Sequence, residues 1–333
     1  MSEHKPKIKF VTVGCKVNQY ETQAIRESFQ ILGVTESREG NEPCDFVLVN
    51  TCTVTADADK TNRYWIRRLR REHPQARIAV TGCYVQKNRR DLEAMKEVDF
   101  VFSNEEKSEI ASRLLQKTDP ALLSLPLQVS RSEGRARAYL KIQDGCNHAC
   151  SFCKVVLVRG RSRSRALCEI KDETVRLRDA GYREIVLTGI QLGAYGLDFE
   201  SSTRLAHPRK RDHYHLLDVI KVCSDIPGIE RIRLSSIEPM DIGEPLILAF
   251  RDFPKLCPHL HIPLQSGDDE ILRKMNRRYT AEDYRCLVLK LRQDIPMFSL
   301  TLDVMAGFPG ETEEQFERTV SLLRQLKPLK SHV

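Results

Sequence analysis

No apolar run in the 333 residues approaches the roughly 18 that a membrane-spanning helix requires. Nor does the chain open on a signal-peptide core, since Met1-Ser2-Glu3-His4-Lys5-Pro6-Lys7 leads straight into a strand-like segment. A cytoplasmic chain that does not associate with membranes is therefore expected. Without an oxidising compartment, disulfides are not the natural use of its 11 cysteines, an odd number. Metal ligation or free thiols suit them better. Neither sign of charge dominates. Lys and Arg number 53 against 46 Asp and Glu, a net charge of +7, which is compatible with a nucleic-acid partner without requiring one. Hydrophobic residues make up 41%, enough for real cores, and the length predicts about two domains.

The densest chemistry is Asp144-Gly145-Cys146-Asn147-His148-Ala149-Cys150-Ser151-Phe152-Cys153, where three cysteines stand at C-x3-C-x2-C. Thiolates are preferred by soft iron sites, and close spacing lets one loop present several sulfurs to one cluster. Three protein sulfurs on a four-iron cluster leave one iron open to a small molecule. A structural zinc site is the second reading. It usually takes four ligands, and the only nearby candidate for the fourth, His148, is crowded between Cys146 and Cys150.

Upstream, strand-like segments alternate with helical ones. Lys7–Gly14, Asp45–Asn50, Arg77–Gly82 and Val98–Phe102 read as strands, Glu21–Gly33 and Asp59–Glu72 as helices. A βαβα order predicts a parallel sheet with helices on both faces, binding ligands beyond the carboxyl ends of its strands. Cys15, Cys52 and Cys83 each follow a different strand at that end. Three buried structural cysteines would be the plainer account, but none of the three lies mid-strand. Cys44 fits no such position. The helix Lys60–Arg71 carries six basic residues and the only Trp, a solvated face by default and a phosphate-contacting one if RNA approaches.

Residues 1–118 thus form one expected domain, 119–135 a linker with two prolines and no period, and 136–333 a second domain. In the second, strands are expected at Ala138–Gln143, Glu184–Leu187, Arg231–Leu234, His259–Leu264, Leu300–Ala306 and from Lys330, with helices at Cys168–Ala180 and Glu311–Leu326. Such repetition predicts a barrel or partial barrel with its chemistry in the loops after the strands. Those loops hold Gly189 and Gln191 in a Gly-rich stretch, Ser236 and Glu238, Gln265 and Ser266, and Asp303, which inside an apolar strand needs a partner. Arg159-Gly160-Arg161-Ser162-Arg163-Ser164-Arg165 is a charge run whose guanidinium forks suit carboxylates or phosphates. His259 and His261 flank a core strand and are not expected to be ligands. Cys168, Cys223, Cys257 and Cys286 are expected to be free thiols.

C-x3-C-x2-C with an aromatic before the last Cys resembles the cluster loop of radical S-adenosylmethionine enzymes. Gly14-Cys15-Lys16-Val17-Asn18-Gln19-Tyr20-Glu21-Thr22, Asn50-Thr51-Cys52-Thr53-Val54 and Thr81-Gly82-Cys83 resemble the first domain of the methylthiotransferases. The "GCKVNQYET" wording is similar to the type acting on threonylcarbamoyladenosine in tRNA. "LQSG" at 264–267 and the "DxxxGFPGET" tract from Asp303 add to the match. The resemblance implies an α/β chain, an N-terminal doubly wound parallel sheet plus a partial (β/α)6 barrel. It implies two 4Fe–4S clusters, one on Cys146, Cys150 and Cys153 and an auxiliary one on Cys15, Cys52 and Cys83. S-adenosyl-L-methionine would lie near Gly189, Gln191, Ser236, Glu238, Gln265, Asp303 and Arg159. The implied reaction puts a methylthio group on C2 of a hypermodified adenosine beside the anticodon. A cofactor-derived radical breaks the unactivated C–H bond, so no side chain need act as acid or base. A tRNA anticodon loop with its target base unstacked and an electron donor such as flavodoxin or ferredoxin are the implied partners of a monomer. Related substrates are isopentenyladenosine in tRNA or a ribosomal protein. A non-catalytic iron–sulfur or zinc RNA-binding module is the alternative of another class. Two departures stand out. Val156 occupies a place where the family carries Pro. The chain ends at Val333, where relatives continue into a small RNA-binding β-barrel.

Overall fold

A computed structural model describes residues 5–37, 42–53, 56–131, 136–199 and 215–333. Val54 and the end of the expected linker, from residue 132 to 135, lie outside these. The chain divides into two compact units, Met1–Gly134 with Leu157–Gly160, and Arg135–Val156 with Arg161–Val333.

In the first unit, β1 (Lys7–Thr12), β2 (Thr35–Glu36), β3 (Phe46–Thr51), β4 (Arg77–Gly82) and β5 (Phe100–Val101) form one sheet in the order β2-β1-β3-β4-β5. Every pairing in it is parallel. A parallel sheet needs cover on both faces, and the alternation along β3 supplies it. Phe46 and Leu48 join Ile25 and Phe29 of α1 (Lys16–Ile31) and Ile110 of a later helix in one core. Val47 and Val49 join Ile66 and Leu69 of α2 (Ala56–Glu72) and Tyr84 and Val85 of α3 (Cys83–Glu93) in the other. This is a doubly wound sheet, and the order reverses between β1 and β3. A crevice opens at such a reversal, at the carboxyl ends of the strands.

Helix α1 starts five residues before the expected Glu21. Val17, Tyr20 and Ala24 continue the apolar stripe toward its start, and the polar Asn18, Glu21 and Thr22 between them are buried as well. The segment after Asp119 packs on this unit. Glu27 accepts hydrogen bonds from Ser130 N and Oγ (both 2.7 Å to Oε2) and Arg131 N (2.9 Å), and Leu127 lies against the first core.

In the second unit, β6 (Ala138–Lys141) runs into a short antiparallel ribbon, β7 (Gln143–Asp144) with β8 (Arg163–Ser164), which brackets the C-x3-C-x2-C loop. β6, β9 (Glu184–Thr188) and β10 (Arg231–Leu234) form one parallel sheet, and β11 (His259–His261), β12 (Ser299–Asp303) and β13 (Lys330–His332) another. Parallel bridges Ile232–Leu256 and Ser236–His261 join the two. The described strands therefore curve in chain order, β6-β9-β10-β11-β12-β13, as a partial (β/α)6 barrel. Leu140, Leu187, Leu234, Leu260 and Leu302 are all buried along its strands.

Candidate functional site

In the first unit, Cys15, Cys52 and Cys83 follow β1, β3 and β4, three neighbours in the sheet. Cys15 is the N-cap of α1 and Cys83 the first residue of α3. Helix N-termini carry partial positive charge and suit a negatively charged group. Two glycines bring the loops together. Gly14 has φ +104°, and a Cβ there would meet Cys52 Cβ at 2.6 Å and Sγ at 2.8 Å. Gly82 has φ +102°, and its Cβ would lie 2.3 Å from Thr51 O. Asn18 ties the loops further, donating from Nδ2 to Val13 O (2.8 Å) and Thr51 O (2.9 Å).

A buried charge cluster sits beside these cysteines. Glu21 accepts from Arg159 Nη1 (3.0 Å) and Nη2 (3.1 Å) and from Lys107 Nζ, and all three residues are at most 4% exposed. Arg159 Nη2 also donates to Asn18 Oδ1 (2.5 Å), and its Nε lies 3.2 Å from Cys83 Sγ. Two buried cations thus stand next to sulfur. Burial pushes the Cys83 thiol up from its ordinary pKa, with Arg159 and Lys107 pulling the other way. Arg159, a candidate cofactor contact in the sequence, thus has all three of its guanidinium nitrogens engaged in the first unit.

In the second unit the C-x3-C-x2-C loop leaves β7, and every sulfur has an N–H donor. His148 N reaches Cys146 Sγ (3.3 Å), Arg277 Nη1 reaches Cys150 Sγ (3.3 Å), and Val155 N reaches Cys153 Sγ (3.5 Å). Burial raises the pKa of Cys146 and of Cys153, opposed by those backbone donors. Such thiols lose their protons to a coordinated metal, and N–H···S bonds are among the features that set a cluster's properties. Val156 lies in the first turn of the short helix Val155–Arg159. An N–H in a helix's first turn has no intrahelical partner, so Pro at this place would remove no helical hydrogen bond.

The loop is braced from two sides. Gln143, fully buried, donates to Gly145 O (2.7 Å) and Ser162 Oγ (2.9 Å) and accepts from Ile190 N and Gln191 N (both 2.9 Å). Asn276 Nδ2 donates to Ala149 O (2.7 Å), and Ser151 Oγ to Lys274 O (2.8 Å). Arg277 pairs with Glu238 and stacks over Tyr279.

The cofactor candidates meet different fates. Gly189 is small because Gln143 Oε1 would lie 2.9 Å from its Cβ. Gln191 is buried against the loop, its Nε2 2.9 Å from His148 Nε2 and its Oε1 3.4 Å from Cys146 Sγ. Glu238 and Arg277 face a cavity of about 190 Å³ together with His148, Cys150 and Tyr279. Ser236 carries the bridge to His261, and Gln265, at φ +67°, the bridge to Val304. Asp303 finds its partner in His261 Nε2 at 3.1 Å and stays 40% exposed. Ser266 is buried against Thr319 Oγ1 (3.4 Å). Asn18, Glu21, Lys107, Gln143 and Arg277 were not singled out in the sequence. The signal for the first two was their place in the tract after Cys15, while Lys107, Gln143 and Arg277 left none.

All 11 cysteines are free thiols. Among the described residues no three His, Cys, Asp or Glu side chains close on a single metal ion. Sulfurs bound to separate irons of one cluster stand farther apart than ligands of one ion. A four-iron cluster on three thiolates is anionic overall, and N–H donors, helix N-termini and the buried cations of the first unit all suit it.

Residues 7–103 match the family described as uncharacterized protein family UPF0004, and residues 140–323 the radical SAM superfamily. The chain is 39% identical over its whole length to the threonylcarbamoyladenosine tRNA methylthiotransferase MtaB of Chlamydia pneumoniae, covering 75% of that protein. It is 37% identical over 98% of its length to MtaB of Bacillus subtilis, covering 72%. With the tRNA-2-methylthio-N(6)-dimethylallyladenosine synthase of Acetivibrio thermocellus it shares 34% identity over 95% of its length and 67% of that protein. Among solved structures, the radical S-adenosylmethionine methyltransferase TsrM of Kitasatospora setae superposes with a TM-score of 0.65 at 17% identity, covering 98% of this chain and 72% of that one, a likeness of fold. The chain belongs to the radical SAM methylthiotransferases, an enzyme family.

Proposed function

We propose that the protein transfers a methylthio group to C2 of N6-threonylcarbamoyladenosine beside the anticodon of tRNA. The observation that carries this reading is the pair of three-cysteine sets, one at the carboxyl ends of parallel strands in each unit. The choice of substrate is supported by the "GCKVNQYET" tract and by identities of 34–39% to proteins named for that nucleoside, against 32–34% to the dimethylallyladenosine synthases.

Cys146, Cys150 and Cys153 would hold one 4Fe–4S cluster, and Cys15, Cys52 and Cys83 the other. When bound, the first cluster with S-adenosylmethionine supplies a radical able to break an unactivated C–H bond, and the second supplies a site for the transferred sulfur. The protein's own part is placement and charge. Gln143, Asn276 and Ser151 fix the loop that presents three sulfurs. His148 N, Val155 N and Arg277 stabilise those sulfurs as thiolates. Arg159 and Lys107 offset the negative charge of the other set. Ser236, Glu238, Gln265 and Asp303, at the carboxyl ends of barrel strands, would bind the amino group and ribose hydroxyls of S-adenosylmethionine, with Gly189 and Gln191 shaping that pocket. A small electron carrier, flavodoxin or ferredoxin, would reduce the first cluster. Among the described residues no helix is long and apolar enough to cross a membrane, and the work is that of a cytoplasmic enzyme on tRNA.

Mass spectrometry of nucleosides from tRNA incubated with the anaerobically reconstituted, reduced protein and S-adenosylmethionine tests the proposal. A methylthio gain on threonylcarbamoyladenosine is expected. Gain on isopentenyladenosine instead would overturn the substrate, and zinc without sulfide in the purified protein would overturn the chemistry. The Cys146→Ala variant should lose both S-adenosylmethionine cleavage and transfer, and Cys52→Ala transfer alone.

A further inference from the structure

Helix α2 sorts its charges by face. Asn62, Ile66 and Leu69 are buried on the sheet. Arg68 pairs with Glu72, and Arg70 with Asp99. On the outer side Lys60, Arg63, Tyr64, Arg67 and Arg71 line a shallow cavity of about 350 Å³, and among the described residues no carboxylate lines it. Lys60 has only an exposed contact with Asp57 at 3.6 Å, and Arg63 donates to the neutral Tyr84 hydroxyl at 2.8 Å. Among the described residues Arg67 and Arg71 face no carboxylate. Tyr64 is 53% exposed in their midst. A cationic groove of this kind holds phosphates, and an exposed ring within it offers a face on which a base can stack. The spacing of the stripe, i, i+3, i+4, i+7 and i+11, carries it along a helix about 25 Å long. Its Lys60 end lies toward Cys52, since Asn62 on the adjoining turn donates to Cys52 O.

We propose that this face of α2 binds the phosphodiester backbone of the tRNA substrate, gripping it independently of sequence along a track that begins near the Cys52 end of the sheet. The inference rests on tRNA being the substrate and adds where the first unit holds it. The acidic groups nearest the groove are few. Asp57 lies at its rim, Asp59 is engaged by Thr53 Oγ1 (2.6 Å), and Glu72 is held by Arg68. An approaching polyanion therefore meets little opposing charge.

The test is binding of fluorescein-labelled tRNA to the full chain over a range of salt concentrations, wild type against a Lys60→Gln/Arg67→Gln/Arg71→Gln variant. A second tRNA with guanosine in place of the target adenosine is measured in parallel. Lys117→Gln is the control, an exposed lysine just beyond the helix Ile110–Leu114, which packs with α1 rather than α2. The triple variant should bind both tRNAs on the order of tenfold more weakly and lower the salt slope by about 2 to 3, roughly 0.7–0.9 for each phosphate no longer neutralised. The control should change neither. An unchanged affinity and slope overturns the proposal. So does a loss confined to the tRNA bearing the target adenosine, which would mean base readout. 5′-Deoxyadenosine release without tRNA should be untouched, and unchanged circular dichroism separates weaker binding from failed folding. If wild type transfers the methylthio group and the variant binds at full strength, the groove alone is refuted. If the groove binds RNA but no methylthio gain occurs, the proposed reaction fails and the groove stands.

Discussion

Removing one negative charge from the buried cluster of the first unit should unfold that unit far more readily. Glu21, 3% exposed, is a carboxylate shared by Arg159 and Lys107, which are 4% and 2% exposed. In Glu21→Gln the side chain keeps its size, so no cavity opens, but Arg159 and Lys107 both lose the carboxylate they share. Breaking a buried ion pair by removing one partner costs about 3–5 kcal/mol, and here both cations lose theirs. Trp65, the only Trp, lies in α2, so its fluorescence reports this unit alone during urea unfolding of the metal-free chain. With a denaturant slope of about 2 kcal/mol per molar, a loss of about 4 kcal/mol moves the midpoint down by about 2 M. Arg159→Met should cost less, because it leaves the Lys107–Glu21 pair intact. A Glu21→Gln midpoint within a few tenths of wild type, or an Arg159→Met loss larger than that of Glu21→Gln, would refute the charge argument.

Three further outcomes follow from the same geometry. Gly82→Ala should lower the Trp65 urea midpoint by more than Gly33→Ala. Gly82, at φ 102° and ψ −171°, occupies a region essentially confined to glycine, which costs about 1–3 kcal/mol before its Cβ meets Thr51 O, whereas Gly33, at φ +81°, has open space around it. Arg277→Met should leave iron bound by three cysteines but change the electron paramagnetic resonance of the first cluster and slow S-adenosylmethionine cleavage on the order of tenfold, as removal of supporting hydrogen bonds does at metal centres; an unaltered spectrum would dismiss the Arg277–Cys150 bond. Burial favours the neutral form of Glu106, yet Ser103, Arg113 and Arg89 outweigh it and hold its carboxyl at about 2 against an ordinary 4.5. A lowered folded-state pKa stabilises above the unfolded value and loses that stability as pH falls from about 4.5 toward 2. Glu106→Gln should therefore flatten the decline of stability between pH 4.5 and 2, and an unchanged pH profile would show that the group contributes nothing.

The sequence carried both architectures because parallel strands buried on both faces read as apolar runs, and Arg77–Gly82 and Arg231–Leu234 were bounded to the residue. Strand ends were overextended elsewhere. Pro263 and Leu264, for example, keep a strand-like composition but lie beyond β11, which ends at His261. β2, only Thr35–Glu36, is too short for any period to show. The first turn of α1 was missed because Asn18 and Gln19 look solvent-facing, and only the fold reveals that Asn18 is buried in bonds around the cysteines. Arg159 misled for a related reason. A run of four arginines promises exposed charge, yet one of them is 4% exposed and spent on Glu21, Asn18 and Cys83. Lys107 and Arg277 gave no signal, since each acts through a partner more than thirty residues away.

The two units reach the same electrostatic solution by different routes. Each sets three sulfurs beyond the carboxyl ends of parallel strands, where the chain turns into helices and unpaired N–H groups gather. In the first unit the sulfurs come from three separate strands, so their spacing depends on the sheet, and two glycines with positive φ are needed to let neighbouring loops touch. Charge balance there is set by buried side chains far apart in sequence, Glu21, Lys107 and Arg159. In the second unit one loop carries all three sulfurs, so spacing is local and backbone N–H groups from His148 and Val155 supply two of the three donors. The first arrangement should therefore be the more sensitive to core substitutions, and the second to changes in the loop itself. If the two sets hold clusters as proposed, a destabilised sheet should shed the one on Cys15, Cys52 and Cys83 while the one on Cys146, Cys150 and Cys153 remains.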